Sequence, residues 1–310
     1  MSIDREALTR RLRELADAQV RIGTSSWKYP GWCGSVYEEE LYFTRGKFSE
    51  SRFKRDCLTE YADIFPAVCV DAGYYRFPTQ RYLEGLADQV PEDFRFGFKV
   101  TDEITIKHFP NLKRFGDRAG KPNEHFLSPK LFASAFLKPM EAIREKVGVL
   151  ILEFSQFYPR DFERGRDFVQ ALDTFFSALP DDWPLGVEIR NKNFLEAPYF
   201  DMLTRHGVAH CFNNWTRMPT IAEQLEMEGS FTADFTVARF LLTPGRNYAG
   251  AVKTFEPYDH LQQKDEEARN AGRQLIDRIK ETDRKRPSFL FVNNRLEGHA
   301  PSTIAAMAEG

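Results

Sequence analysis

The sequence predicts an α/β fold in which eight strands and the helices between them close into a single-domain (β/α)8 barrel of the TIM type. Eight short apolar segments rich in Val, Ile or Phe recur along the 310 residues, and amphipathic stretches of helical length separate most of them. Such segments are typical of buried parallel strands, and their alternation with helices favours a closed barrel with long loops at the carboxyl ends of its strands. A doubly wound open sheet is the alternative, but no GxGxxG motif follows the first strand.

The predicted elements follow one another in a regular order. The strands are predicted at 20–27, 67–74, 94–100, 147–154, 184–190, 208–215, 235–242 and 288–294, and helical stretches at 49–65, 78–89, 130–146, 162–179 and 256–283. Leu8, Leu12 and Leu15 share one helical face, so residues 1–19 are predicted to form a helix packed on a barrel domain of residues 20–310.

Composition excludes several classes of protein. The net charge of −3 gives no sign of a nucleic-acid coat or a membrane surface, and no apolar run approaches the roughly 20 residues of a membrane span. The first 20 residues lack the apolar stretch of a signal peptide. The four cysteines form no CxxC pair, which indicates reduced thiols and a cytoplasmic location.

Polar residues stand at the carboxyl ends of the predicted strands. In "PLGVEIRNKNF" (184–194), Glu188 and Arg190 alternate with apolar residues, so both fall on the face opposite Val187 and Ile189. In a barrel, alternate residues face the lumen, and active sites lie at this end. The same parity selects Asp71, Lys99, Glu153, Glu188, Arg190 and Arg239, with Asn293 as the matching candidate in the last strand. A single polar residue at such a position more often ends a strand in solvent or caps a helix. Several charges that converge in a buried place are costly unless they form ion pairs or take part in binding or catalysis.

Five stretches also resemble a known family. These are "IGTSSWKYPGW" (22–32), "VDAGYYRFP" (70–78), "FGFKVTDEIT" (96–105), "GVEIRNKNF" (186–194) and "FVNNRLEGHAP" (291–301), which are similar to the YecE-like family, domain of unknown function 72. The resemblance implies a TIM-type barrel in a bacterial or archaeal cytoplasmic protein, and it implies no established reaction. This chain has Asp71 where the family usually has Glu, and "EIRNKNF" where the family has "EFRHPSW".

The candidate catalytic residues are Glu188, Glu153, Asp71 and Lys99. Neighbouring strands lie about 4.8 Å apart, so Glu153 and Glu188 could share a proton, which would raise the pKa of one of them and make it an acid or base. The charges of Asp71 and Lys99 would determine whether Glu153 and Glu188 are ionised. The alternative is a ring of ion pairs that only satisfies buried charges. Lys99 as a Schiff-base nucleophile is a less favoured interpretation.

The candidate binding residues surround this group. Arg190 and Arg239 are predicted to clamp an anion. Arg246, with Gly245 and Gly250 in "LLTPGRNYAGAV" (241–252), is predicted to help bind phosphate, although an ordinary surface turn is the alternative. The remaining candidates are Tyr75, Arg76, Trp27, Asn293 and Asn294. The loop 101–128 is long and basic, and is interpreted as a lid over the mouth or, less favoured, as a phosphate-backbone patch.

No cofactor is expected. No HxH or HExxH spacing occurs, and only a weak Mg²⁺ or Mn²⁺ site on Asp71, Glu153 and Glu188 is conceivable. The leading hypothesis is an enzyme, a hydrolase or lyase, acting by acid–base chemistry on a small phosphorylated or carboxylated molecule. The alternatives are a phosphodiesterase-like or nucleic-acid-binding barrel, which is not favoured, and a non-catalytic ligand-binding protein.

Overall fold

Eight parallel strands close into a barrel in the computed structural model, which describes residues 3–180, 182–282 and 286–309. The strands are β1 (Val20–Ser25), β2 (Ala67–Val70), β3 (Arg95–Lys99), β4 (Val147–Glu153), β5 (Leu185–Glu188), β6 (Ala209–Asn213), β7 (Val237–Phe240) and β8 (Ser288–Val292). Each strand pairs with the next in the chain, and β8 pairs with β1 to complete the circle. The predicted fold class is confirmed, since each of the eight predicted segments contains one barrel strand.

Helices lie between the strands and cover the outside of the barrel. The α-helices of four residues or more are Arg5–Asp17, Glu50–Ile64, Ala72–Tyr75, Gln80–Ala87, Asp102–Thr105, Gly165–Ser177, Ala197–Arg205, Ile221–Leu225, Tyr248–Phe255, Glu266–Lys280 and Ala300–Ala308. Short 3₁₀ helices occupy Pro30–Trp32, Glu39–Tyr42, Lys113–Arg118 and Lys192–Phe194, and a small antiparallel hairpin pairs Phe43–Thr44 with Lys47–Phe48. The helix Arg5–Asp17 buries Leu8, Leu12 and Leu15.

The predicted helix at 256–283 is wrong in its first third. The helix begins at Glu266, where the Asp265 side chain accepts a hydrogen bond from the backbone N–H of Ala268 at 3.0 Å. Aspartate at this position satisfies an otherwise unpaired N–H of the first turn, so it fixes the start of the helix. A separate helix, Tyr248–Phe255, ends just before Pro257, in a stretch that the sequence predicted to be a loop.

The predicted helix at 130–146 is present but irregular. It passes from α-helix (Pro129–Leu131) through a π-helical turn (Phe132–Leu137) and a second α-helical turn (Lys138–Met140) into a 3₁₀ segment (Glu141–Lys146). Pro139 has no backbone N–H and its ring crowds the preceding turn. The wide turn just before it is a common way to accommodate such a residue.

The lower part of the lumen is a packed apolar core. It consists of Ala67, Cys69, Val149, Ile151, Ala209, Cys211, Phe235, Val237, Phe289 and Phe291. Gly97 leaves the space that the Phe291 ring fills, because a Cβ on Gly97 would lie 2.7 Å from that ring. The barrel is therefore closed from below, and any ligand must enter at the carboxyl ends of the strands.

Candidate functional site

A ring of eight polar side chains, one from each strand, sits directly above this apolar core. Each member stands two positions beyond a lumen-facing residue, as Arg239 follows Val237 and Glu153 follows Ile151. The ring consists of Ser25, Asp71, Lys99, Glu153, Glu188, Asn213, Arg239 and Asn293. The strand register pairs Glu153 with Glu188 and Asn213 with Arg239, so the two members of each pair lie side by side on neighbouring strands. We call this set the polar ring.

Two arginines bind the two glutamates of the ring. Arg239 donates through Nη1 to Glu153 Oε2 at 2.7 Å and also to Glu188 Oε2. Arg190, just beyond the end of β5, places Nη2 2.9 Å from Glu153 Oε1 and 3.2 Å from Glu188 Oε1. Together with Asp71 and Lys99, three acidic and three basic groups make a charge-balanced cluster. The six predicted charges therefore converge on one mouth.

Lys99 connects the glutamates to Asp71. Its Nζ lies 2.9 Å from Glu153 Oε2, 3.5 Å from Asp71 Oδ1 and 4.2 Å from the centre of the Tyr74 ring. Burial favours the neutral amine, but Glu153 and Asp71 outweigh it and raise the pKa of Lys99 above its usual range. Lys99 is therefore held as an ammonium group, which does not favour the interpretation as a Schiff-base nucleophile, since that role needs a neutral amine.

Glu153 is held as a carboxylate. Burial favours its protonated form, but Arg190, Lys99 and Arg239 outweigh burial and hold the pKa of Glu153 well below its usual range. The direction of this shift does not favour the expectation that Glu153 and Glu188 share a proton, which stays a prediction. The physical reason is that Arg239 contacts both carboxylates and neutralises the repulsion that would drive protonation.

Only part of the cluster reaches solvent. Glu188 is fully buried and Arg239 is 3% exposed, whereas the side chain of Asp71 is 38% exposed and that of Arg190 is 12% exposed. Within the described chain, Nη1 of Arg190 has no hydrogen-bond partner. The open edge of the cluster is therefore formed by one carboxylate and one guanidinium.

Trp215 supports Arg190 and was not anticipated from the sequence. The guanidinium carbon of Arg190 lies 3.8 Å from the centre of the Trp215 ring, so the cation is stacked on the indole while its nitrogens reach the carboxylates. Trp215 follows β6 by two residues, but no sequence pattern links it to Arg190. This stacking fixes the orientation of the guanidinium, and therefore the direction in which Nη1 of Arg190 can donate a hydrogen bond.

Four buried atoms of the polar ring lack a hydrogen-bond partner among the described residues. These are Ser25 Oγ, Asp71 Oδ1, Asn213 Oδ1 and Arg239 Nε. Sequence reasoning missed Ser25 and Asn213, although both obey the parity rule: Asn213 stands two residues after lumen-facing Cys211, and Ser25 pairs with lumen-facing Cys69. Buried polar atoms without partners are rare, and they indicate that water or a ligand completes the ring.

The outer binding candidates have different environments. Tyr75 is 63% exposed and Arg76 beside it is exposed, whereas Trp27 is only 3% exposed. Asn293 accepts from the backbone N–H of Arg295 at 3.0 Å, and Asn294 accepts from that of Ala300 at 2.8 Å. The Asn294 contact satisfies the first residue of the helix Ala300–Ala308, which gives Asn294 a structural role.

The predicted phosphate loop after β7 has a different function in the fold. The N–H of Gly245 donates to Thr216 O at 3.1 Å, and the N–H of Gly250 donates to the Asn247 side chain at 2.7 Å. Arg246 contacts Gln263 and packs over the Phe255 ring at 4.7 Å. Both glycine N–H groups are therefore already hydrogen-bonded within the fold, and Gly250 lies in the first turn of the helix Tyr248–Phe255, capped by Asn247, so this geometry does not favour the prediction that the loop helps bind phosphate.

The loop 101–128 lies at the mouth end, since it follows β3. Arg114 and Arg118 bind Asp102 at 2.8 Å and Glu103 at 2.6 Å, both within the same loop. A small core of Ile106, Phe109 and Phe115 packs inside it. His108 contacts Asp161 of the loop after β4 at 2.6 Å, and Arg114 lies 5.2 Å from the Tyr75 ring. Two of its basic residues are thus already paired.

The carboxylates of the ring do not form a metal site. Across the described ranges, no group of three or more His, Cys, Asp or Glu could hold a metal ion. Lys99, Arg190 and Arg239 occupy the positions around Glu153 and Glu188 that a cation would need. The weak Mg²⁺ or Mn²⁺ site on Asp71, Glu153 and Glu188 is therefore not supported by the geometry.

Fold and site together define a (β/α)8-barrel protein with a charge-balanced polar mouth. The chain belongs to the DUF72 family, described as a protein of unknown function, whose model matches residues 21–310. It is 25% identical over 176 residues to the UPF0759 protein YecE of Escherichia coli K12, a match that covers 56% of this chain and 50% of that protein. The match thus spans half the length of this curated relative. The resemblance read from the sequence motifs is confirmed.

Solved structures of the family share the fold. A DUF72 family protein from Thermotoga maritima superposes with a TM-score of 0.63 at 20% identity, covering 94% of this chain and 97% of that one. One from Enterococcus faecalis gives 0.61 at 17% identity, covering 94% of each chain. At these identities the likeness concerns the barrel alone. Separately, none of the helices in the described ranges is long and apolar enough to cross a membrane.

Proposed function

We propose that this protein is an enzyme that binds a small phosphorylated or carboxylated substrate at the barrel mouth and transforms it by proton transfer. The observation that carries the proposal is the uneven burial of the charged cluster. Glu153, Glu188 and Arg239 are buried and ion-paired with one another, whereas Asp71 and Arg190 lie at the open edge. A purely structural ion-pair network gains nothing from leaving a carboxylate and a guanidinium partly open, whereas an active site needs such groups.

Arg190 is the proposed anion-binding group. Its Nη2 is committed to the two glutamates, while stacking on Trp215 leaves Nη1 available to a carboxylate or phosphate oxygen. The sequence assigned this role jointly to Arg190 and Arg239. We now assign Arg239 to holding Glu153 and Glu188, because its Nη1 already contacts both carboxylates.

Asp71 is the proposed general base. Among the three carboxylates of the ring it is the most exposed, and its nearest cation, Lys99, lies 3.5 Å away. A proton taken from the substrate leaves negative charge behind, which the fixed ammonium of Lys99 stabilises. Glu153 contributes by holding that ammonium in place at 2.9 Å. This assignment fits a lyase or a hydrolase whose substrate carries its anionic group near the reacting atom.

A second candidate function is the binding of single-stranded nucleic acid, and one observation favours it. Tyr75, Tyr158 and Tyr248 are each more than half exposed, and they lie in the loops or at the first helical turns after β2, β4 and β7. An arginine approaches each ring, at 5.2, 5.9 and 4.5 Å from its centre. Aromatic platforms beside cations suit stacked bases and phosphates. Affinity for an oligonucleotide that falls steeply with salt would support this candidate.

The proposal is tested by titrating the protein with inorganic phosphate and following its melting temperature. A ligand at 100 times its dissociation constant stabilises the fold by about 2.7 kcal/mol, so the wild type should melt at a higher temperature with phosphate. Arg190→Met should lose most of that rise. Arg205→Met is the control, because Arg205 is 59% exposed and ends the helix Ala197–Arg205, at the opposite end of the barrel from the mouth. A full phosphate-induced rise in Arg190→Met would show that the anion binds elsewhere.

A further inference from the structure

We infer that the part of the substrate that enters the polar ring carries hydroxyl groups, so that the substrate is a hydroxylated acid or a sugar phosphate rather than a bare anion. This inference rests on the proposed function, because it names the substrate class of the same site. The carrying observation is the chemical character of the four ring atoms that lack partners: Ser25 Oγ, Asp71 Oδ1, Asn213 Oδ1 and Arg239 Nε.

These atoms belong to residues of the upper lumen, where Lys99 Nζ lies 3.5 Å from Asp71 Oδ1 and 2.9 Å from Glu153 Oε2, which in turn accepts from Arg239 Nη1 at 2.7 Å. Ser25 pairs with Cys69 in the strand register, and Asp71 stands two residues beyond Cys69, just past the end of β2, so Ser25 lies on the neighbouring strand one lumen-facing position below Asp71. Asn213 pairs directly with Arg239 on the far side of the barrel. Burial opposes the charge of Arg239, but Glu188, Glu153 and, among weaker contributors, Asp71 raise its pKa well above the usual range.

The hydrogen-bonding capacity of this space is mixed, with acceptors in the majority. The carboxylate oxygen of Asp71 and the amide oxygen of Asn213 accept only, the Nε of Arg239 donates only, and the hydroxyl of Ser25 does both. A fully ionised phosphate or carboxylate can only accept, so it would leave Asp71 and Asn213 without hydrogens and would face the charges of Glu153 and Glu188. A hydroxyl group donates and accepts, and it satisfies both kinds of partner.

The balance of charge in the ring also favours a ligand whose buried part carries hydroxyl groups. Lys99, Arg190 and Arg239 balance Asp71, Glu153 and Glu188, so a neutral segment enters the buried space with little electrostatic cost. The unpartnered Nη1 of Arg190 at the rim receives the anionic end. The competing account is that ordered waters alone satisfy the four atoms, as they do in many protein interiors. In that case hydroxyl groups on a ligand would add nothing to its affinity.

Matched ligands separate the two accounts by calorimetry. Glycerol 3-phosphate and propyl phosphate differ by two hydroxyl groups, and glycerate and propionate form the same comparison for carboxylates. Each hydroxyl that completes a buried hydrogen bond is worth about tenfold in affinity, so we expect at least one hydroxylated ligand to bind ~10 to 100 times more tightly than its partner.

Two variants test whether Ser25 is responsible for the tighter binding of the hydroxylated ligand. Ser25→Ala removes a hydroxyl that has no protein partner, so the fold should be unaffected while affinity for the hydroxylated ligand falls about tenfold and affinity for its partner stays unchanged. Thr236→Val is the control, because Thr236 Oγ1 is also buried without a partner but lies just before β7, at the opposite end of the barrel.

Each outcome decides between the accounts. Equal affinities within both pairs, or a discrimination that is as large in Ser25→Ala as in the wild type, would overturn the hydroxyl inference and leave the anion site standing. Failure of all four ligands to bind would overturn the proposed function and the inference together. Discrimination that is lost in Ser25→Ala and kept in Thr236→Val supports the inference.

Discussion

Arg239 is the residue on which the charged cluster depends most directly. It is buried, and its Nη1 contacts both Glu153 and Glu188. Arg239→Met should therefore lower the free energy of unfolding by about 3–5 kcal/mol, because it leaves two buried carboxylates with less compensation. Urea denaturation measures the loss, with the exposed Arg160→Met expected to stay within about 0.5 kcal/mol of the wild type. A loss below about 1 kcal/mol in Arg239→Met would contradict the assignment of Arg239 as the link between the glutamates.

Glu153 should affect how the stability of the protein changes as the pH becomes acidic. Its pKa is held well below the usual value near 4.5 once the chain is folded, so the stabilisation is complete above that value and is lost as the pH falls below it. Glu153→Gln should reduce stability at pH 7 and flatten the decline below about pH 4.5. The exposed Glu39→Gln serves as a control. Unfolding midpoints measured between pH 7 and 3 would refute the account if both variants declined as the wild type does.

The sequence predicted most of the charged cluster but not its supporting groups. Parity along each strand is a strict rule of barrels, so it located Asp71, Lys99, Glu153, Glu188 and Arg239. Ser25 and Asn213 obey the same rule, but small polar residues also end strands for structural reasons and carry no charge to single them out. Trp215 could not be predicted, because its contact with Arg190 depends on the side-chain directions of two loops. The pKa of Glu153 required knowing that three cations surround it.

At the scale of secondary-structure elements, buried His210 ties β6 to two helices. Its ring nitrogens lie 3.3 Å from Tyr199 Oη and 3.2 Å from the Gln224 side-chain oxygen, on the side of the strand away from the lumen. Burial lowers the pKa of His210 to about 4, while Gln224 partly opposes the shift. The histidine therefore stays neutral between β6 and its helices at neutral pH.

This burial predicts a second pH dependence. The unfolded chain takes up a proton on His210 below about pH 6.5, whereas the folded chain does so only near pH 4, so His210 should lower stability by about 3 kcal/mol as the pH drops between these values, in addition to the fall from His299, whose pKa burial also lowers to about 4. His210→Gln should flatten that part of the curve, and the exposed His260→Asn should not. The comparison is made by urea denaturation at half-unit pH steps. A wild-type slope retained in His210→Gln would exclude His210 as its source.

Strand prediction succeeded and helix prediction was less accurate for physical reasons. Buried parallel strands are short and continuously apolar, so each of the eight was visible in the sequence. The helix predicted at 256–283 failed at its start because its periodicity continued into the preceding segment, and only the cap at Asp265 marks the true beginning. The stretch 241–252 was read as a phosphate loop from its glycines, yet Asn247 caps a helix there.

At the scale of the whole molecule, the residues that stabilise the barrel and the residues of the candidate site lie at different heights along the barrel axis. An apolar core fills the lower lumen, while the charged cluster and the four polar-ring atoms without a hydrogen-bond partner lie at the carboxyl ends of the strands. The loop 101–128 packs against the loops after β2 and β4 through Arg114 and His108. It remains a prediction that this loop is more mobile than the barrel, which hydrogen exchange would test. Members of the DUF72 family share this barrel, so the position of the mouth follows from the fold.

The central claim is that an anion binds at the mouth through Arg190, and a crystal structure of the protein grown with selenate tests it most directly. Selenate has the shape and charge of sulfate, and its selenium scatters anomalously, so its position is identified without ambiguity. We expect an anomalous peak whose oxygens lie within hydrogen-bonding distance of Arg190 Nη1, at the rim beside Trp215, and we expect that peak to vanish in Arg190→Met. Selenate bound only at other arginines, or an unchanged peak in the variant, would contradict the claim.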